Sequence, residues 1–348
     1  MSVPSPGCRH AAVMRRRVGE ALPVNAGVAA ASRVVSHVRW IHAWRDVMKR
    51  VLVLGTVLAV GGLSAVVNSE QQLSQAALDA TVIEHVRDNL YVITGSSPLD
   101  RAAFSGGNTG VYIGEEGITL VDTKLPGWGQ ALMDRIRTVS DKPVTTIINT
   151  HTHGDHVGSN AFFPESVQIV VQENTEANMV RLGMFTGATA HGMPDTTYTD
   201  RLTLGSGADR IELYHFGPGH TNGDTFILYP GLRVLQMGDM FPWRDAPFLD
   251  RSNGGSGVSF PETLQALIDN LDGYDTVVPG HIPVTTPESL QEYQRFTADL
   301  LAAVRGAIEA GQSAEEAAAS IDLTGQYEGY RTERMAAAIA AIYEELGQ

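Results

Sequence analysis

The sequence predicts an α/β fold in which two mixed β-sheets pack together with helices on the outside. Two observations carry this. Short apolar, β-rich runs alternate with helical stripes in the order strands, helix, strand, helix, strands, helix, strand, helices. Hydrophobic residues make up 43% and charged residues 18% of 348 positions, a globular balance in a chain long enough to bury a sizeable core. The 36 glycines add many turns and close backbone approaches.

The N-terminal stretch stands apart. Residues 1–50 hold nine Lys/Arg against Glu20 and Asp46, a local charge of +7, which leaves −21 on the rest. Residues 51–67 are uncharged and mostly apolar, between Met48-Lys49-Arg50 and Asn68-Ser69-Glu70. That is the layout of a secretory signal. Translation is therefore expected to start at Met48, with residues 1–47 a non-native or disordered extension and the product exported to the periplasm or secreted. The cleavage site is poorly defined. Residues 48–70 read as a signal peptide or as an uncleaved membrane anchor, since about 17 apolar residues are the minimum for a span. A buried core helix is the third reading, and the basic start argues against it. Residues 71–348 read as a single domain with a helical C-terminal part.

Residues 68–80 look like a polar linker. Thr81–His85 and Asn89–Thr94 flank Arg87-Asp88 as in a hairpin. A loop, Ser96–Gly107, leads to strands Asn108–Ile113 and Ile118–Val121 around a Glu115-Glu116-Gly117 turn. A helix follows over about Trp128–Ser140, with Leu132, Ile136 and Val139 on one face. Val144–Asn149 and Val167–Val171 read as strands, Glu173–Leu182 as a helix and Gly183–Thr197 as a loop. Four successive strands are expected at Tyr198–Leu204, Arg210–Phe216, Gly223–Tyr229 and Leu232–Met237. Phe241–Gly257 is a long loop, and such loops are usually functional. Pro261–Leu271 reads as a helix and Thr276–Val278 as a short strand. Thr286 is expected to cap a helix that starts at Pro287 and runs to about Ala310. Ser313 and Glu316 form a capping-box pattern. Arg331–Leu346 closes the chain with Met335, Ile339, Ile342, Tyr343 and Leu346 on one stripe.

The chemistry concentrates in Thr150-His151-Thr152-His153-Gly154-Asp155-His156, which holds three of the 11 histidines. Imidazole and carboxylate are good ligands for first-row metals, zinc above all. Further polar residues follow apolar runs: Asp122 after Ile118–Val121, His220 after Arg210–Phe216, Asp239 after Leu232–Met237 and His281 after Thr276–Val278. If these strands run in one direction, their ends converge at one edge, where sites on rigid sheets are built. His151 and His153 are two apart, so in an extended segment they share a side. Gly154 is expected to let the chain turn, so that Asp155 and His156 face elsewhere. The single cysteine, Cys8, lies in the leader, so the body has neither disulfides nor cysteine ligands. So acidic a body repels nucleic acid and suits a small-molecule substrate. Any membrane link would run through the N-terminal anchor alone.

His151-x-His153-x-Asp155-His156, His220 in a Gly-His-Thr context, Gly238-Asp239 and Pro279-Gly280-His281 resemble the metallo-β-lactamase superfamily. The motifs run from Asp122 to His281 in the family's order. The resemblance implies an αββα sandwich (metallo-β-lactamase fold) with two metals, usually zinc. It implies that His151, His153 and His220 hold the first metal, that Asp155, His156 and His281 hold the second, and that Asp239 bridges them. Asp122 would orient a ligand histidine. The alternatives to these roles are that Asp239 is an ordinary turn residue and that Asp122 merely caps the following turn. Asp155 and Asp239 are the expected catalytic carboxylates. A water between two cations, its pKa lowered to roughly 7, would supply hydroxide for attack on a carbonyl.

Within the family, the cysteine-ligand β-lactamases are excluded by the cysteine-free body. The histidine-rich type matches six ligands but usually lacks the bridging aspartate, which is similar to that of thioesterases, lactonases and ribonuclease Z-like nucleases. The leading expectation is a zinc-dependent hydrolase of an ester, thioester or lactone. The alternatives are a β-lactamase, a mononuclear iron sulfur dioxygenase and a non-catalytic, metal-stabilised binding module. Substrate contacts are expected from flanking loops: Phe104, Met184, Phe185, Trp243, Arg244, Phe248, Asp250 and Arg251. Trp243 and Phe248 either shield an acyl group or cover the sheet edge. Arg244 and Arg251 either bind a substrate carboxylate or are surface charges. His85 and His215 have no motif partner, and His215 reads as a packed histidine. His191 lies in a loop that could contact substrate.

Overall fold

Period-two alternation sorts the strand residues between two apolar layers. In the computed structural model, which describes residues 73–347 of the compact unit Glu70–Gln348, the elements run in this order: α1 (Gln75–Ala80), β1 (Ile83–Arg87), β2 (Leu90–Ile93), β3 (Thr109–Ile113), β4 (Ile118–Val121), α2 (Gly129–Ile136), β5 (Val144–Ile148), α3 (Gly154–Val157), β6 (Gln168–Gln172), α4 (Glu173–Arg181), β7 (Thr196–Tyr198), β8 (Arg201–Leu204), β9 (Ile211–Tyr214), β10 (Phe226–Tyr229), β11 (Val234–Gln236), α5 (Phe260–Asn270), β12 (Thr276–Val278), α6 (Pro287–Glu309), α7 (Ala314–Ser320) and α8 (Met335–Glu345).

β1 to β7 form one sheet in sequence order, and β12-β11-β10-β9-β8 form the other. Both are mixed: β1 to β4 pair antiparallel and β4 to β7 parallel, while the second sheet is antiparallel except for β11 with β12. On β4, β5 and β6, Val121, Ile148 and Val170 face the second sheet and meet Ile211, Leu213, Ile227 and Val234 there. Their neighbours Leu120, Ile147 and Ile169 face outward and pack with Leu132 and Ile136 of α2. The outer face of the second sheet, through Phe226 and Leu235, packs on α5, α6 and α8 by way of Leu264, Tyr293 and Ile339. The layers are therefore helix, sheet, sheet, helix, as the sequence predicts.

The element boundaries differ in a few places. Tyr198–Leu204 is two strands: β7 belongs to the first sheet and β8 to the second, with a turn at Thr199-Asp200 between them. Tyr198, Leu202 and Leu204 all point into the layer between the sheets, so the alternation continues unbroken across the switch. The Gly183–Thr197 loop contains a 3₁₀ turn at Gly187–Gly192 and the first two residues of β7. Helix α2 stops at Ile136, short of Ser140, and Pro143 lies just beyond. Thr286 sits at the cap position of α6 without a side-chain capping bond, whereas the Ser313–Glu316 box is complete. The last helix starts at Met335 rather than Arg331. The expectations for residues 1–47 and 48–70 lie outside the described residues. Among the described residues no helix is long and apolar enough to cross a membrane.

β4 and β5 run parallel in the first sheet. β9, antiparallel to β10, therefore runs with β11 and β12 in the second. Their C-terminal ends carry Asp122, the His151–His156 segment, His220, Asp239 and His281.

Candidate metal centre

The site begins with a bend. Asp122, just past β4, is left-handed (φ 69°), a conformation that costs an ordinary residue about 1–2 kcal/mol. The bend turns its carboxylate onto the exit of β5. Oδ1 accepts the Thr150 N–H at 2.8 Å; Oδ2 accepts the Thr150 hydroxyl at 2.8 Å and His156 Nδ1–H at 2.7 Å. A hydroxyl has one proton, and Thr150 gives its own to Asp122. It therefore accepts from His151 Nδ1, 2.9 Å away.

The other imidazoles are fixed the same way. His153 Nε2 donates to Asp250 Oδ2 at 2.7 Å, His220 Nδ1 to the Phe248 carbonyl at 2.7 Å and His281 Nδ1 to the Ser96 carbonyl at 3.1 Å. Each ring spends its N–H outward, so the second nitrogen turns a lone pair inward. The inward atoms are Nε2 of His151, His156, His220 and His281, and Nδ1 of His153.

These atoms form two groups. His220 Nε2 lies 3.2 Å from His151 Nε2 and 2.8 Å from His153 Nδ1. His156 Nε2 lies 3.4 Å from His281 Nε2 and 3.5 Å from Asp155 Oδ2, which is 3.4 Å from His281 Nε2. Nitrogen ligands at about 2.0–2.1 Å from a tetrahedral zinc stand about 3.3–3.4 Å apart. Lone pairs pressed this closely need a proton or a cation between them. Either group can hold a metal ion, as can His151, His156 and Asp239 together.

Asp239 spans both groups. Its Oδ1 is 3.4 Å from His156 Nε2 and 3.3 Å from His281 Nε2, while its Oδ2 is 3.6 Å from His220 Nε2. Oδ1 is buried with no hydrogen-bond partner. An orphaned, buried carboxylate oxygen facing imidazole lone pairs is costly unless a cation completes it. The residues present thus fit a metal. Two glycines make room: a Cβ on Gly280 would stand 2.1 Å from Asp239 Oδ1, and one on Gly238 (φ 50°) would stand 2.6 Å from Thr150 Oγ1.

Electrostatics agrees. Burial, then the neighbouring imidazoles of His156, His220 and His153, hold His151 well below its ordinary pKa. Burial and His153 push His220 down to about 4. Burial also opposes charge on His156, but the Asp155, Asp239 and Asp122 carboxylates overcome it and raise that imidazole well above its ordinary value. Burial would raise Asp239, yet His281 and His156 hold its carboxyl well below the usual range. The carboxylates call for positive charge in the middle of the site, from a proton or from a metal.

Beside the centre lies a cavity of about 460 Å³, lined by His153, Gly154, Asp155, Asp239 and His281 on one side. Pro98, Phe104, Leu125, Pro126, Trp243, Phe248 and Arg334 form its other walls. A Cβ on Gly154 would meet nothing, and its backbone is not left-handed, so no tight turn demands glycine there. The segment turns because His153 opens α3, which carries Asp155 and His156 in its first turn.

Of the loop residues read as substrate contacts, Phe104, Phe248 and Trp243 line the cavity. Trp243 is also buried, with Nε1 donating to the Ala246 carbonyl at 3.0 Å. The two arginines lie elsewhere. Arg244 reaches Ser289 Oγ at 3.4 Å beside a neighbouring hollow. Arg251 binds the Gly255 carbonyl and Glu345, tying its loop to α8. Met184 lies near Thr152 and Phe185 packs on Gly192, both away from the cavity. His85, His191 and His215 bind the carbonyls of Asp88, Ala161 and Asp224 and stay outside the centre.

Two positioning roles escaped the sequence. Thr150 sits in the motif but carries no metal-ligand signal. Asp250 binds His153 from a loop 97 residues away.

A family model described as the metallo-beta-lactamase superfamily matches residues 102–281. The chain is 33% identical over 132 residues to a 2,4-dinitroanisole O-demethylase subunit alpha of Nocardioides sp. (strain JS1661), a match covering 36% of this chain and only 38% of that relative. It is 23% identical over 212 residues to a metallo-beta-lactamase type 2 of Bacteroides fragilis, covering 60% of this chain and 82% of that one. The solved metallo-beta-lactamase from Pontibacter korlensis superposes with a TM-score of 0.55 at 21% identity, covering 63% of this chain and 99% of that one. The chain belongs to the metallo-β-lactamase superfamily.

Proposed function

We propose that the protein is a dinuclear zinc hydrolase acting on a carbonyl substrate: an ester, a thioester or a lactone. The observation that carries this reading is the placement of Asp239, one carboxylate oxygen toward each histidine group. His151, His153 and His220 would hold the first zinc, Asp155, His156 and His281 the second, with Asp239 shared. Bound zinc supplies Lewis-acid polarisation of the carbonyl and acidifies water near neutral pH.

The chain's own residues do the rest. Asp122 keeps a proton on His156 Nδ1 and, through Thr150, on His151 Nδ1. Asp250 does the same for His153 Nε2. With two cations bound, the Asp239 carboxylate would offset part of their repulsion. Phe104, Trp243 and Phe248 give the cavity apolar walls for the non-reacting part of the substrate. The Asp155, His156 and His281 group favours two metals over the single iron of a dioxygenase. The names of the relatives cover lactamase, demethylase and alkylsulfatase chemistry, and the fold is compatible with each.

The test is a panel of nitrocefin, a thioester, a lactone and a phosphodiester, run with metal quantification. Two zinc per chain with thioester or lactone turnover is the expected result. Nitrocefin as the fastest substrate would favour a β-lactamase. One iron per chain would favour the dioxygenase, and bound metal with no turnover would favour a binding module.

A further inference from the structure

We infer that Lys124 is a positioning residue for the second metal group: it ties together the two ends of the cavity loop at 95–107, and that loop holds Asp155, His156 and His281 in place. The inference rests on the two-metal reading above and gives a role to a residue outside the ligand set. Lys124 follows Asp122 and Thr123 past β4, left-handed at φ 62°. It is fully buried, which is rare for lysine.

Lys124 Nζ donates to the Thr94 carbonyl at 2.8 Å and to the Gly107 carbonyl at 2.7 Å. Thr94 leaves β2 and Gly107 leads into β3, so the two bonds close the neck of the loop between these strands. The neck is narrow: a Cβ on Gly95 would stand 2.1 Å from the Gly106 carbonyl oxygen. Ammonium and neutral amine both carry the two N–H groups that this needs, so the role does not depend on charge.

Every ligand of the second group touches this loop. Gly107 N–H donates to the Asp155 carbonyl at 3.1 Å. Gly107 also packs on the His156 imidazole, where a Cβ would stand 2.2 Å from Cε1. The Ser96 carbonyl accepts from His281 Nδ1 at 3.1 Å, and the Phe104 ring lies 5.9 Å from that imidazole. The first group is held from elsewhere: His151 by Thr150, His153 by Asp250 and His220 by the Phe248 carbonyl. Without Nζ the Thr94 and Gly107 carbonyls lose a donor and the neck loosens, which shifts the second group and leaves the first in place.

The experiment measures zinc affinity by competition with a chromogenic chelator for wild type and Lys124→Met, each also in an Asp155→Ala background that isolates the first group. Lys124→Met should weaken the second zinc about tenfold or more, the scale for a group behind a metal ligand, and leave the zinc of the Asp155→Ala background at unchanged affinity. Equal losses at both zincs, as from general destabilisation, would overturn the inference, and so would no loss at either. Should Lys124→Met fail to fold, Lys124→Gln keeps N–H donors on a shorter arm and should show the same selective loss by a smaller factor; an unselective loss, or none, overturns the inference. Amide hydrogen exchange on the metal-free proteins keeps the role of Lys124 separate from the two-metal reading. Residues 95–107 should exchange at least about tenfold faster in the variant, while 211–220 keep the wild-type rate. If wild type binds a single zinc, the two-metal reading fails and the exchange alone decides. Unchanged rates in 95–107, or acceleration in both segments, overturn the role of Lys124.

Discussion

The Asp122 carboxylate binds the His156 imidazole at Nδ1, 2.7 Å away, with both side chains buried. The bond fixes the ring and its tautomer, so that Nε2 faces Asp155, Asp239 and His281. Replacing Asp122 with Ala removes the acceptor and also frees Thr150, which links Asp122 to His151. Loss of a group behind a metal ligand typically costs about 10–100-fold in affinity. Competition against a chromogenic chelator should show a drop of that order for Asp122→Ala. Wild-type affinity would mean that the ring holds its place unaided.

Asp250 does the equivalent work for His153, and it also organises its own loop. It accepts from Ser252 Oγ and from the Asn253 backbone and side chain. Asp250→Ala should therefore weaken metal binding and lower stability by about 1–3 kcal/mol. Urea denaturation of the metal-free protein isolates the second effect. A stability unchanged from wild type would confine Asp250 to its histidine.

The closest packing in the site lies between Gly280 and Asp239. A methyl group on Gly280 would meet Oδ1 at 2.1 Å, so the carboxylate must move. Overpacking of this kind costs about 1–3 kcal/mol. Gly280→Ala should lose metal on dialysis faster than wild type while remaining folded by circular dichroism. Equal retention would show that Asp239 can shift without leaving the metals.

Lys124, left-handed and buried two residues past Asp122, donates to the carbonyls of Thr94 and Gly107 at 2.8 and 2.7 Å. Burial, then repulsion from Arg135, lowers its pKa to about 7, against the pull of Asp122 and Asp155. The sign follows from proton binding. Between pH 7 and the ordinary lysine value of about 10.4, the unfolded chain holds a proton that the folded one releases, so stability rises with pH in that window. The slope is at most about 1.4 kcal/mol per pH unit. Urea midpoints of wild type should gain on those of Lys124→Met from pH 7 to 10. Parallel curves would mean that Lys124 keeps its ordinary pKa.

The candidate ligands could be picked out in the sequence because metal-binding residues are marked by type and close spacing. His151, His153, Asp155 and His156 fall within six positions, and each remaining site residue follows an apolar run. The layers were legible for a similar reason, since alternation on β4, β5 and β6 divides each strand between two faces. The Tyr198–Leu204 break was hidden because the alternation survives the change of sheet. Arg251 and Arg334 could not be ranked from sequence. Each is an arginine near a long loop or helix start, and only packing shows that Arg251 is bound by Glu345 while Arg334 faces the cavity. Asp250 was legible only as a polar loop residue, because its partner is set by how the loop closes over His153.

The central claim, that two metals share Asp239, is tested most directly by counting zinc. Plasma mass spectrometry on wild type and on Asp155→Ala, both exhaustively dialysed against metal-free buffer, gives the number per chain. The account predicts two zinc in wild type and one in the variant, with His151, His153 and His220 intact. One zinc in both proteins, or two in both, would contradict it.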